Sequence, residues 1–150
     1  MNFPLLKLIH ILSATLMIGT GFGSAFYLFF TYKKGNVSTV KDVLKLVILA
    51  DTIFTTPSVF LQLVTGILLT EMLGLTFGKW FWQVMGISFI VFVLWVRAAF
   101  MQLKLRKIIE AENKITEEFH RLMRIWFYLG VPSFLASMVI YYMMVFKVTF

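Results

Sequence analysis

Four long apolar stretches dominate this chain and leave it few folds to adopt. They run over residues 5–32, 43–73, 81–103 and 122–146, and each exceeds the ~20 residues an α-helix needs to cross a hydrocarbon core. Sixty per cent of the residues are hydrophobic and 14% charged, against about 25% charged in ordinary soluble domains. A water-soluble fold of 150 residues could not hide that much apolar side chain. The segments between the stretches are too short for an extramembrane domain. The expected architecture is therefore one all-α domain over 1–150, a four-transmembrane-helix bundle.

The net charge of +7 is explained by topology rather than by nucleic acid. Lys33, Lys34, Lys41 and Lys45 lie between the first and second stretches. Lys104, Arg106, Lys107, Lys114, Arg121 and Arg124 lie between the third and fourth, and the opposite side carries only Lys7, Lys79 and Lys147. Basic loops remain cytoplasmic, so both termini are expected on the non-cytoplasmic side of a bacterial inner membrane. Membrane lipid, including anionic headgroups at the basic loops, is the expected surrounding. The first stretch is much longer than the roughly 7–15-residue apolar core of a signal peptide and reads as retained. There is no cysteine, which excludes disulfides and thiolate metal sites.

Boundary signals punctuate each connection. The Lys33-Lys34-Gly35-Asn36 run ends helix 1. Thr39 with Asp42 resembles a capping box for helix 2. Pro57 should bend that helix, which a bundle tolerates when neighbours satisfy the freed carbonyl. The GLTFG of residues 74–78 is the short outer turn. Trp80, Phe81, Trp82, Tyr141 and Tyr142 form an aromatic belt beside it. Helix 3 is expected to run on to Glu112, with Thr116 capping helix 4 and Glu117 and Glu118 in its first turn.

Polar groups within a membrane are costly unless paired, which makes them the candidates for function. At 100° per residue, Asp51, Thr55, Ser58, Gln62, Thr65 and Gly66 fall on one face of helix 2. Such a stripe is either a helix-packing seam or the wall of a proton, ion or ligand path. Asp51 and Arg97 are expected at matching depth on antiparallel helices, where they could pair as a structural clasp; alternatively Arg97 snorkels to the interface. His10 shares a face of helix 1 with Ala14, Met17, Gly21 and Ser24. It reads either as an interhelical hydrogen-bonding residue or as a metal or haem-iron ligand. The opposite face carries Gly19-x-x-x-Gly23, a close-packing pattern. His120 is expected at the other membrane face as a solvated interfacial residue. A haem held by two histidines would then need His10 from two copies. Phosphate loops, HExxH, CxxC and nucleophile elbows are all lacking.

The segment LLKLIHILSATLMIGTGFGSAFYLFF, with Lys7-x-x-His10 followed by Gly19, Gly21 and Gly23, resembles the first helix of a superfamily of small bacterial four-helix membrane proteins. That superfamily includes the HemJ-like, oxygen-independent protoporphyrinogen oxidases and the CopD-like copper-resistance proteins. The nearest likeness is to a sister family of predicted membrane proteins of unknown function, which the QLVTG of residues 62–66 also resembles. The resemblance implies haem b as cofactor with His10 as an axial ligand to its iron. HemJ-like proteins carry a lysine shortly after a tryptophan at the start of helix 3. Here Trp80 is followed at four residues by Val84, which argues against the oxidase activity and leaves haem binding open. Two rival readings remain: an accessory subunit of a larger membrane complex, and a small transporter built from a homo-oligomer.

Overall fold

The computed structural model describes residues 2–149. Four helices are long and apolar enough to span a membrane: α1 (Phe3–Lys34), α2 (Val37–Met72), α3 (Lys79–Glu112) and α4 (Glu117–Phe146). A helix of 32 residues is about 48 Å long at 1.5 Å per residue. Each helix therefore extends past a hydrocarbon core of ~30 Å, which accounts for elements longer than the apolar stretches inside them.

Local chemistry sets most of the boundaries. Pro4 lies in the first turn of α1, where a missing N–H costs nothing. At the other end Gly35 takes φ +73° and its N–H reaches the Tyr32 carbonyl at 3.0 Å. Helix α2 starts earlier than the Thr39/Asp42 pattern suggested. Asn36 is the cap, its Oδ1 accepting from the Thr39 N–H at 3.0 Å, because its oxygen lies the required three residues upstream. Thr116 caps α4 as expected, accepting from the Phe119 N–H at 3.2 Å with Glu117 and Glu118 behind it.

Pro57 acts on the turn before it. Residues Asp51–Thr55 form a π-helical turn, and the Thr56 N–H reaches back to the Asp51 carbonyl. Proline offers no N–H and its ring crowds the carbonyl four residues earlier; a widened turn relieves that crowding. Neighbouring hydroxyls take up backbone acceptors, Thr56 donating to the Asp51 carbonyl at 2.9 Å and Thr52 to the Ile48 carbonyl at 2.8 Å.

The helices pair as two antiparallel hairpins, α1 on α2 and α3 on α4. Residues 37–50 of α2 also pack on α3, whereas residues 56–72 pack on α1. At the end bearing the two basic turns, one apolar cluster draws on all four helices: Leu28, Val40, Leu44, Leu105, Ile109 and Phe119 are fully enclosed there. At the end bearing the termini, the second cluster (Trp80, Phe81, Val84 and Met143) comes from α3 and α4 alone. The hairpins are thus clamped at the basic end. Aromatic contacts continue the α1–α4 junction partway along, Phe29 on Phe127 at 4.8 Å and Phe22 on Phe134 at 5.2 Å between ring centroids.

Only 6% of the most apolar window of α3 is buried, and Phe89, Phe92 and Phe100 point outward. In water such a surface would aggregate; in a bilayer it is the wall of the bundle. No neighbour comes near the Cβ positions of Gly19 or Gly23. The close approach that spacing permits is not used within the chain.

Candidate functional site

The polar residues of the sequence assemble at two places, and the π turn decides which residue goes where. Projection at a constant 100° per residue puts Asp51 through Gly66 on one stripe. A π turn inserts an extra residue and offsets the phase by about 100°. Asp51 is accordingly turned toward α3, while Gln62, Thr65 and Gly66 are turned toward α1.

On the α1 side the centre is His10. Its Nδ1 lies 2.7 Å from Thr65 Oγ1. The Thr65 hydroxyl donates its single proton to the Leu61 carbonyl, so its oxygen can only accept from the imidazole. With the hydroxyl proton on the Leu61 carbonyl, the matching His10 tautomer carries its proton on Nδ1 and its lone pair on Nε2. No described residue is bonded to Nε2. Gly66 makes room for the ring: a Cβ built there would stand 3.3 Å from His10 Cε1. Gln62 supports the same turn of α1, its amide donating to the His10 carbonyl and to Ser13 Oγ at 2.6 Å. Ser13 in turn donates to the His10 carbonyl at 3.1 Å. The imidazole is held in place, with one nitrogen committed and the other bare.

On the α3 side, Asp51 does not meet Arg97. Its Oδ2 accepts from Gln102 Nε2 at 3.0 Å and its Oδ1 from Thr55 Oγ1 at 2.8 Å. Gln102 is 5% exposed, so the amide is committed to this bond. Arg97 stands five residues earlier on α3 and about 140° round its axis, on the exposed side. Arg97 is thus displaced from the residue that meets Asp51 both along the axis, by about 7.5 Å, and in angular phase. Arg97 is placed to snorkel along the apolar wall.

His120 departs from expectation as well. It is half-buried, and its Nδ1 is hydrogen-bonded to the Tyr32 hydroxyl with the rings edge to face at 5.5 Å. It ties α4 to the end of α1. An open depression of about 410 Å³ lies beside it, lined by Tyr32, Lys33, Gly35, Ile115 and His120. A second, of about 450 Å³, lies at the α3–α4 turn. His10 therefore sits on a half-buried face away from both depressions, at the other end of the molecule.

Among the described residues no three His, Asp or Glu side chains are grouped to hold a bare metal ion. A lone imidazole suits only a metal that brings its other ligands, as the iron of a macrocycle does. The residues of this pairing were legible singly in the sequence; their partnership was not, because it needs the rotation of α2 against α1. Ser13 and Gln102 carried no sequence signal beyond being polar.

Four apolar spans with a few committed polar contacts inside define a small polytopic α-helical membrane protein. The chain belongs to the family described as predicted integral membrane proteins (DUF2269), whose model matches residues 4–148. No curated protein and no solved structure matches the chain.

Proposed function

We propose that this protein binds haem b in a bacterial inner membrane, with His10 as an axial ligand to the iron, and that it assists redox or haem-related chemistry. The observation that carries the reading is the Thr65 clamp on Nδ1. Histidines that ligate metals almost always donate their other ring N–H to a fixed acceptor, which sets the tautomer and the ring orientation. Thr65 Oγ1 lies where such an acceptor would stand, and Nε2, the nitrogen that would ligate, has no hydrogen bond among the described residues. Bound haem would supply one-electron chemistry; the chain's part is to hold and orient the ring. His120 belongs to the opposite end of the molecule, so a second histidine ligand would come from His10 of another copy. The half-buried face around His10 and the unburied wall of α3 suit a homo-oligomer or a place in a larger membrane complex.

The test is the visible spectrum of protein gently extracted from haem-replete cells, with and without dithionite. A Soret band with α and β bands sharpening on reduction is the expected result. A protein still colourless after haem is added would overturn the reading and leave His10 as an interhelical hydrogen-bonding residue.

The orientation belongs to the same proposal. The basic turns at Asn36 and Asn113 face the cytoplasm and both termini face outward. The chain has no cysteine, so single Asn2→Cys and Asn36→Cys variants can be labelled cleanly in intact cells with an impermeant thiol reagent. Label is expected at position 2 and not at 36; the reverse pattern would invert the topology.

A further inference from the structure

We infer that the depression between the end of α1 and the start of α4 is a phosphate site, which takes the headgroup of an anionic phospholipid. This is independent of the haem reading and concerns the opposite end of the molecule.

The two open depressions at the basic end differ in the sign of their charge. The one of about 410 Å³ is lined by Tyr32, Lys33, Gly35, Ile115 and His120. It presents an ammonium and an imidazole, and its lining holds no carboxylate among the described residues. Glu112, Glu117 and Glu118 instead line the second depression, against a single Lys107. An anion is favoured in the first and disfavoured in the second.

The donors of the first are held in place. The Tyr32 hydroxyl is hydrogen-bonded to His120 Nδ1, which fixes the ring across the α1–α4 junction. In the tautomer that accepts from the phenol, His120 carries its N–H on Nε2, and a charged ring carries one there as well. Nε2 has no hydrogen bond among the described residues. Lys33 Nζ stands 5.6 Å from the centroid of the Phe29 ring, one turn deeper in α1, which draws the ammonium toward the membrane. A fixed imidazole N–H beside an ammonium suits the charged oxygens of a phosphodiester.

The placement favours a lipid over a soluble phosphate. Tyr32 and Lys33 stand at the end of the first apolar stretch, at the level where headgroups lie. One turn deeper, Phe29 lies against Phe127 of α4 at 4.8 Å between ring centroids, and Phe127 is 38% exposed. The α1–α4 seam therefore continues from the depression as apolar surface along which acyl chains can run. A phospholipid uses both the donors and the seam.

The test is native mass spectrometry of the full chain in neutral detergent, titrated with dioleoylphosphatidylglycerol or with the zwitterionic dioleoylphosphatidylcholine. Wild-type protein should hold its first phosphatidylglycerol roughly tenfold more tightly, the worth of two partly screened charge contacts. Lys33→Gln/His120→Gln should lose most of that preference. Lys33→Arg, which keeps the cation and leaves the Tyr32–His120 bond alone, should retain it. A Lys104→Gln/Lys107→Gln control, which removes two cations from α3 at the same end, should also retain it. Equal binding of the two lipids by the wild type, or a preference that survives Lys33→Gln/His120→Gln, would overturn the site. Loss of the preference in the α3 control would assign it to the general charge of the basic end and overturn the site as well. Lipid that stays bound in millimolar inorganic phosphate supports the headgroup assignment; its displacement would make the depression a site for soluble phosphate and overturn the lipid.

Discussion

His10→Ala should yield protein that inserts normally and carries no Soret band. Under the proposed ligation the iron would lose the one ligand this chain is proposed to give it, while α1 keeps its apolar character and gains a better helix former. Three companion variants separate ligation from general damage. Thr65→Val removes the acceptor that fixes the tautomer but leaves Nε2; loss of such a supporting partner costs about 10–100-fold in affinity, so the band should persist at a higher haem requirement. Gly66→Ala would press a methyl to within 3.3 Å of Cε1, displacing the ring by a few tenths of an ångström and shifting the band without abolishing it. His120→Ala should leave the spectrum untouched, because that ring is occupied with Tyr32. A full Soret band in purified His10→Ala protein would rule out ligation by this residue.

The second large effect is expected on stability, across the α2–α3 contact. Gln102→Leu leaves the Asp51 carboxylate with the Thr55 hydroxyl as its one remaining side-chain donor, and should cost about 1.5–3 kcal/mol, the range for a hydrogen bond to a charged group. Asp51→Leu leaves the Gln102 amide buried without its acceptor, at about 1–3 kcal/mol. The double variant should cost less than the sum, with a coupling of about 1–2 kcal/mol. Reversible unfolding in mixed micelles measures all three. Arg97→Leu should be nearly neutral and additive with Asp51→Leu. Coupling of Asp51 to Arg97, with none to Gln102, would show that α3 is rotated from the orientation described.

Beyond that contact, the residues that could be located in advance were those whose roles are local. Gly35 ending α1, Thr116 opening α4 and the irregular turn before Pro57 each depend on atoms within a few residues. The errors have the same origin. Asn36 displaced Thr39 as the cap because two good capping residues compete within one turn. Asp51 meets the Gln102 amide rather than Arg97 because neither the rotation of the helices nor their fine register can be counted from the sequence.

The sequence by itself determined that the chain is a four-helix membrane bundle, where its turns fall and which polar residues lie at membrane depth. Those properties follow from length against bilayer thickness and from the cost of unpaired polar groups in hydrocarbon. Only the tertiary structure decided that His10 meets Thr65, that Asp51 meets Gln102, and that Lys147 folds back over Trp80. In a bilayer the lipid is as apolar as the side chains, so hydrophobic periodicity does not mark the face that a neighbouring helix will cover. A single π turn then moves every residue beyond it by about 100°. Which polar groups meet is set by that rotation and by the packing of the hairpins at the basic end.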